Sequence, residues 1–344
     1  MKIPREVRFN HFVRPRRRVD LPRRIAGVLG SVCVCAVTLQ PLMAAAYPDR
    51  PVRLIVPFPA GNSLDVRARQ LANHLPGILG QQVIVDNRGG ASGIIAMELA
   101  ARASADGYTV LFANSTQLAI NPAMSGKLPY DVFRDYQPVS LLSKVPSLAV
   151  VSNAVAAKSL RELIALAKAK PGHLNFASQG NGSTGHLAGE LFMRLTGTRM
   201  THVPYKVYSQ ILTDLFGGQV ALIIGGPPVL LPYLQAGRVR ALAINTPARI
   251  PSLPDVPTFD EAGVPGFWVG PWYGVLVPVG TPAKIIETLN RAFNRTLKAP
   301  DVVEISQAEG QTLIGTTPAE FSAFIRGEFA RCRELVREAG IRIE

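Results

Sequence analysis

Short apolar segments alternate with helical stretches along most of this chain, and this alternation limits the possible folds more than any other feature. Apolar runs bounded by turn residues predict β-strands at residues 52–58, 82–87, 108–114, 148–153, 174–178, 219–226 and 239–245. Helical patterns follow most of these runs, at residues 64–75, 94–103, 160–170, 186–195 and 207–216. Such alternation predicts parallel sheets with ligand sites at the carboxyl ends of the strands. Because so many strands exceed what one compact sheet with a single crevice needs, we predict an α/β fold with two α/β lobes and a ligand cleft between them.

The carboxyl-terminal part departs from the alternation. Residues 282–298 and 318–339 predict two helices with no strand between them, and both are expected to fold back on the first lobe. The predicted lobes are residues 47–147 plus 275–344 for the first, and residues 148–274 for the second. Their crossovers are expected near residues 148–151 and 272–275.

Residues 1–46 have the features of a signal peptide. Nine Lys and Arg residues and only two acids precede an apolar run from Ile25 to Leu39, and Ala44-Ala45-Ala46 then offers a small-residue cleavage site. The apolar run is shorter than the roughly 20 residues of a membrane span. We therefore expect cleavage near Ala46 and an exported, soluble protein without stable membrane insertion, and the export route stays open.

Removal of this leader changes the charge and the cysteine content. The remaining chain keeps 28 of the 37 basic and 22 of the 24 acidic residues, so the formal net charge falls from +13 to +6. This balance gives no reason to expect a nucleic-acid partner. Cys332 is then the only cysteine, which excludes an intramolecular disulfide, and the remaining histidines lack metal-ligand spacing. We expect a monomer without a metal or a cofactor.

The segment "ASQGNGSTGHLAGE", residues 177–190, allows three interpretations. Its glycines match G-x-G-x-x-G, but a dinucleotide site needs an acid at the end of the next strand, and "RMTHVPYK" at residues 199–206 has none. A nucleophile elbow at Ser183 needs glycine two residues before it, where Asn181 stands. His186 lies on the same helix start, where packing or capping is its expected role. The third interpretation is an anion-binding cup.

An anion cup requires only the local geometry of a strand, a turn and a helix start. The strand at 174–178 leads through glycines to a helix beginning near Ser183, so backbone N–H groups, two hydroxyls and the helix dipole point at one spot. The simpler alternative is that Ser183 and Thr184 only cap the helix. "PFPAGNSLD" at 57–65 repeats the pattern, with Gly61 turning the chain and Ser63 as the expected cap.

Two further strand ends extend this pattern. "FANST", which contains Asn114, ends the third predicted strand, and "HVPYKVYS" offers the cation of Lys206. Several such turns without a catalytic base favour ligand binding over catalysis.

The motifs of this chain follow the order found in a known receptor family. "YPDRPVRLIVPFPAG", "QQVIVDNRGG", "AKPGHLNFASQGNGSTGHLAGELF" and "LPDVPTFDEAGVPGF" resemble Bug-type solute receptors of tripartite tricarboxylate transporters, and the resemblance runs from Tyr47 to the end. It implies a periplasmic-binding-protein-like (type II) fold. It also implies a receptor without enzymatic activity that closes on a small carboxylate and delivers it to membrane permease subunits. In this family the ligand carboxylate binds backbone amides and ordered water.

The resemblance and the strand ends together define the expected ligand-binding residues. They are Phe58, Ala60, Gly61, Ser63, Asp65, Asn114, Ser178, Gly180, Ser183, Thr184, His186, Tyr205 and Lys206. Where the family has Gly-Gly-x-Thr-Asp this chain has Gly61-Asn62-Ser63-Leu64-Asp65, and Val207 follows Lys206 where the family has glycine. The expected pocket is therefore poorer in hydroxyls and favours a monocarboxylate, or an aromatic or partly apolar acid, over citrate.

Some alternatives stay open at this stage. A ligand-sensing receptor for a membrane signalling partner would have the same pocket, and an exported serine hydrolase would need an activated Ser183 or Ser63. Trp268 and Trp272 either cover the pocket or pack in the core. Arg88 either faces the ligand or forms an ion pair. Asp65 either complements the helix dipole or binds an amino group of the ligand.

Overall fold

Two β-sheets flanked by helices make up the described part of the protein. A computed structural model describes residues 47–125 and 127–339, and the predicted signal peptide lies outside them. The strands are β1 (Val52–Val56), β2 (Val83–Asn87), β3 (Thr109–Asn114), β4 (Tyr136–Lys144), β5 (Leu148–Ser152), β6 (Asn175–Ser178), β7 (Thr201–Pro204), β8 (Leu222–Gly225), β9 (Val239–Ile244), β10 (Trp272–Pro278) and β11 (Thr312–Leu313). The helices are α1 (Ser63–His74), α2 (Pro76–Leu79), α3 (Ile94–Ala101), α4 (Asn121–Met124), α5 (Leu160–Ala169), α6 (Thr184–Thr196), α7 (Tyr208–Phe216), α8 (Pro227–Gln235), α9 (Ala283–Thr296), α10 (Pro300–Ala308) and α11 (Pro318–Ala339).

The six-stranded sheet has the order β11-β4-β10-β3-β1-β2. Strand β1 pairs in parallel with β2 and β3, as the alternation of strands and helices predicts, whereas β10 runs antiparallel between β3 and β4. The five-stranded sheet has the order β7-β6-β8-β5-β9, with β6 parallel to β7 and β8 and with β5 antiparallel to β8 and β9. Both sheets are therefore mixed, not parallel throughout as the alternation predicts, and the α/β class predicted from the sequence is confirmed.

The chain passes between the two sheets twice. It leaves the six-stranded sheet after Lys144 and enters the other at Leu148, and it returns between Ile244 and Trp272. The two connections bond to each other, because Ser147 donates its amide to the Asn245 side chain at 2.5 Å and accepts from the Asn245 amide at 3.0 Å. Ser147 lies just before the first expected crossover, residues 148–151, whereas Asn245 lies well before the second, residues 272–275.

The carboxyl-terminal segment differs from its prediction. Helix α10 and the short strand β11 lie between the two expected helices, and β11 pairs with β4 at the edge of the six-stranded sheet. A two-residue strand has too little sequence to show periodicity, so the pattern missed it. Trp272 is buried, packs against Phe321 and Phe324, and donates its indole N–H to Glu328 at 3.1 Å. It therefore belongs to the core under α11.

Cys332 is also buried on α11, and burial raises the pKa of its thiol.

None of the helices within residues 47–125 and 127–339 combines the length and apolar character that a membrane span requires.

Candidate functional site

The carboxyl ends of strands from both sheets surround one small cavity of about 50 Å³, here called the inner cavity. The six-stranded sheet contributes the β1–α1 loop, the end of β3 and the start of β10. The five-stranded sheet contributes the β6–α6 loop and the end of β8 together with α7. The polar or amide-bearing residues that line it are Asn62, Ser63, Asn114, Thr116, Ser147, Ser178, Gln179, Ser183, Thr184, Gly185, Gly225 and Gly226, and the apolar or aromatic ones include Phe58, Leu64, Tyr208, Ile211, Ile223, Ile224 and Tyr273.

Helix α6 begins at the inner cavity. Ser183 is its N-cap, and the Ser183 hydroxyl oxygen accepts from the His186 amide at 3.3 Å. Gly180 and Gly182 have positive φ, which lets the loop turn tightly between β6 and the helix. The Thr184 amide donates to the Thr116 hydroxyl at 3.1 Å. Gly185 lines the inner cavity, and its amide belongs to the first turn, where N–H groups have no intrahelical acceptor.

Helix α1 begins on the opposite side of the same cavity, and its cap differs from the sequence prediction. The cap is Asn62, not Ser63, because the Asn62 side-chain oxygen accepts from the Asp65 amide at 2.8 Å. Ser63 is the first helical residue instead. Its amide and that of Leu64 belong to the first turn, whose N–H groups have no intrahelical acceptor. Both residues line the inner cavity, so this first turn lies beside it.

Asp65 stabilises the turn that precedes α1. Its carboxylate accepts from the Gly61 amide and the Asn87 side chain, both at 2.9 Å, and forms an ion pair with Arg69. Burial raises the pKa of Asp65, but the hydrogen bonds from Gly61, Arg69 and Asn87 outweigh it and hold the pKa below its usual value. These partners occupy both carboxylate oxygens.

The inner cavity combines hydrogen-bond donors with an uncharged lining. Among the described residues that line it, none carries a charged side chain. Amides at the starts of two helices, with the hydroxyls of Ser183 and Thr184, are the donors that a carboxylate needs, and both helix dipoles favour a negative charge there. The arrangement can bind a small anion.

A second, outer cavity of about 830 Å³ adjoins the inner one and shares Phe58 and Gln179 with it. Its lining includes Gly180, Tyr205 and the exposed Lys206. The Tyr205 hydroxyl donates to Asp214 at 2.5 Å, and burial together with this carboxylate raises the pKa of Tyr205 to about 12.

The structure thus sorts the residues predicted from the sequence into three groups. The inner cavity brings together Phe58, Ser63, Asn114, Ser178, Ser183 and Thr184. The outer cavity brings together Phe58, Gly180, Tyr205 and Lys206. The residues lining neither cavity are Ala60, Gly61, Asp65 and His186. Sequence reasoning missed Asn62, Thr116, Tyr208 and Tyr273, of which only Asn62 carried a local signal, as a favoured capping residue before a helix.

Two other side chains considered from the sequence lie away from both cavities. Trp268 lies under the Arg331 guanidinium, which is 3.7 Å from the ring centroid. Arg88 pairs with Asp86 at 2.9 Å.

Hydrogen bonds cross the cleft between the two sheets. The Asn62 side chain donates to the Gln179 side chain at 3.3 Å, and Thr184 contacts the hydroxyls of Ser115 and Thr116, each at 3.0 Å. At the outer cavity the Ser92 hydroxyl donates to the Asn181 carbonyl at 2.7 Å. These contacts hold the two sides of the site together.

A pair of stacked histidines lies behind the β6–α6 loop. The ring centroids of His186 and His202 are 4.1 Å apart, and Phe176 stacks on the other face of His202. The Ser178 hydroxyl lies 2.6 Å from Nε2 of His202, and the Gly182 amide donates to Nδ1 of His186. Burial and the neighbouring His186 lower the pKa of His202 to about 4, against a weaker opposing effect of Glu190.

The stability of the unliganded protein should therefore fall as the pH drops from about 6.5 to about 4. The unfolded chain binds a proton on His202 across this window and the folded chain does not, so the contribution of neutral His202 is complete above pH 6.5. We expect the free energy of unfolding to fall by about 1–2 kcal/mol. This is roughly half of what the full pKa shift would give, because the ring is partly exposed to solvent. Urea unfolding at several pH values measures it.

The variant His202→Gln keeps a polar partner for Ser178 without titrating, so its unfolding should depend less on pH across this window. The variant His173→Gln, at the exposed surface, serves as the control and should unfold like the original protein. An unchanged pH dependence in His202→Gln would contradict this assignment.

Comparisons with known proteins agree on one family. The model of the tripartite tricarboxylate transporter family receptor matches residues 67–341. Protein BugT of Bordetella pertussis is 41% identical over 322 residues, which cover 93% of this chain and 99% of BugT. The solved structure of R. palustris Rpa4515 with adipate has 36% identity and a TM-score of 0.83, covering 86% of this chain and 99% of that one. MatC from Rhodopseudomonas palustris with bound malate has 32% identity and a TM-score of 0.79, covering 84% of this chain and all of that one.

Proposed function

The chain belongs to the receptor family of tripartite tricarboxylate transporters, and from this membership we propose that it is an exported receptor for a small carboxylate. Its ligand binds in the inner cavity, between a first lobe of residues 47–147 plus 275–344 and a second lobe of residues 148–274. The observation that carries the proposal is the convergence of the α1 and α6 starts on a cavity lined by uncharged residues. The bound adipate and malate of the two related structures support a carboxylate as the ligand class.

Capture involves closure of the two lobes about the paired connections at Ser147 and Asn245. A ligand whose carboxylate contacts both helix starts binds the closed form more tightly than the open form, so it shifts the population toward closure. The hydrogen bonds from Asn62 to Gln179 and from Ser92 to Asn181 cross the cleft, so they stabilise only the closed form. Both pairs link the two sides of the cleft, so they restrict the escape of the ligand.

The preferred ligand is a mono- or dicarboxylate of small size, with an aromatic or partly apolar body favoured over citrate. Leu64 lines the inner cavity where the family has a hydroxyl, and Ile211, Ile223 and Ile224 form an apolar wall. A third carboxylate would have to lose its hydration against this wall without a partner, which is unfavourable.

Calorimetry with adipate, malate, benzoate and citrate tests this preference. At least one of the first three acids should bind with a dissociation constant near 1 µM, equivalent to about −8 kcal/mol, and citrate at least tenfold more weakly. Tight binding of citrate without binding of the smaller acids would contradict the preference.

The receptor then delivers its ligand to a membrane permease. We infer that residues 1–46 direct export and are removed near Ala46, which places the receptor in the periplasm beside such a permease. Uptake of a radiolabelled ligand should be lost when either the receptor or the permease is deleted. A cellular response to the ligand that persists without the permease would assign the receptor to a signalling partner instead.

The geometry does not favour hydrolysis. The Ser183 hydroxyl accepts from a backbone amide, and Nδ1 of the nearby His186 accepts from the Gly182 amide. Ser178 contacts His202, but the lowered pKa of His202 makes it a weak base at neutral pH. Purified protein should therefore release no product from generic ester substrates.

A further inference from the structure

We infer that Tyr208 selects the ligand by donating a hydrogen bond to a second oxygen of the acid, beyond the carboxylate held by the helix starts. The inference rests on the proposed function and adds to it a specificity residue and a narrower ligand class. That class is a compact carboxylic acid with a hydroxyl, carbonyl or second carboxylate oxygen. Its carboxylate binds at α1 and α6, and its second oxygen faces Tyr208.

The first observation is a buried hydroxyl without a partner. Tyr208 is the first residue of α7 and is 7% exposed, and its hydroxyl has no hydrogen-bond partner among the described residues. Leaving such a group unpaired costs about 1–3 kcal/mol. Burial also raises the pKa of Tyr208, so the phenol stays protonated and can donate.

The second observation is where this hydroxyl lies. Tyr208 lines the inner cavity, and an ideal Cβ on Gly225 would be 3.0 Å from the Tyr208 hydroxyl oxygen. The next residue, Gly226, approaches the opposite side of the cleft, since a Cβ there would be 3.4 Å from the Ser63 hydroxyl oxygen. The unpaired donor therefore lies beside the strand end that meets the start of α1.

The third observation is the character and size of the space around the donor. Ile211, Ile223 and Ile224 line the cavity near α7 and β8, so this part of its wall is apolar apart from Tyr208. The cavity of about 50 Å³ is several times the ~10–15 Å³ that one buried water requires. It therefore has room for part of a small ligand, and its limited volume favours a compact acid.

Paired acids test the inference by calorimetry. The pairs are lactate with propionate and succinate with butyrate, in which the first member carries the additional oxygen. In at least one pair, wild-type protein should bind the first member about fivefold or more tightly than the second. This difference corresponds to one net hydrogen bond of about 1 kcal/mol. The variant Tyr208→Phe should bind both members within twofold of each other, and its affinity for the member without the additional oxygen should be unchanged.

Thermal unfolding separates ligand recognition from a structural role. Because Tyr208→Phe removes an unpaired hydroxyl and keeps the ring, the unliganded variant should unfold at or slightly above the wild-type temperature. Tyr233→Phe, on α8 and outside both cavities, is the matched control and should leave the discrimination unchanged.

Two results would overturn the inference while leaving the proposed function in place. They are wild-type discrimination that persists in Tyr208→Phe, and an equal loss of affinity for both members of each pair. If wild-type protein binds none of these acids or those of the first panel at millimolar concentration, the proposed function fails, and this inference fails with it.

Discussion

Replacing Ser183 with aspartate should reduce carboxylate binding at least 100-fold without destabilising the protein. Aspartate is among the best N-cap residues, so α6 keeps its cap and gains a favourable charge near its positive dipole end. The new carboxylate, however, occupies the donors that a ligand carboxylate needs and repels it inside the cleft. The expected loss of binding free energy is about 2.8 kcal/mol or more. Calorimetry and thermal unfolding measure the two effects separately.

The chain offers a matched control for this variant. Ser159 caps α5 by accepting from the Glu162 amide at 3.2 Å and lines neither cavity. Ser159→Asp should therefore bind ligand like the wild type. If Ser183→Asp retains affinity within tenfold of the wild type, or if both variants lose it equally, the ligand does not bind at the start of α6.

Replacing Arg67 with methionine should lower the free energy of unfolding by about 3–5 kcal/mol. Arg67 lies on α1 and contacts the Glu309 carboxylate at 2.7 Å, with the two side chains only 4% and 9% exposed. Burial already raises the pKa of Glu309 despite the opposing charge of Arg67. Without the guanidinium a buried carboxyl group loses its charge partner, and α1 loses its attachment to the segment before β11. Urea unfolding measures the change.

Two further variants show whether the loss comes from the unpaired acid. The double variant Arg67→Met with Glu309→Gln should recover part of the stability, because the amide leaves no charge unpaired. Arg102→Met removes an ion pair with Glu98 in which Arg102 is 77% exposed, and it should cost less than about 1 kcal/mol. A cost this small for Arg67→Met would mean that the buried pair does not anchor α1.

The parallel strands and the glycine-rich turns could be predicted because their signals are local. Strand β6, the turn through Gly180 and Gly182, and the start of α6 lie within a short segment whose apolar run and glycines show each element directly. Strand β4 was missed because Pro138 and polar residues interrupt its apolar pattern. Strand β10 lies where the sequence predicts the second crossover, near residues 272–275, so its apolar run did not mark a separate strand.

The composition of the cavity could be predicted only in part. Ser183 and Thr184 follow from a helix start, whereas Tyr208 and Tyr273 reach the inner cavity because α7 and β10 pack beside it. That placement depends on the order of strands in two sheets, which no local pattern contains. Asp65 and His186 illustrate the reverse case. They are polar and close in sequence to residues that line the inner cavity, but their side chains accept hydrogen bonds from the turns that precede α1 and α6.

A crystal structure of the protein with its tightest-binding acid tests the central claim most directly. We expect one carboxylate in the inner cavity, with its oxygens about 2.7–3.2 Å from the amide nitrogens of Ser63 or Leu64 on one side and of Gly185 on the other. A carboxylate held in the outer cavity by Lys206, or one that contacts only one of the two helix starts, would contradict the claim.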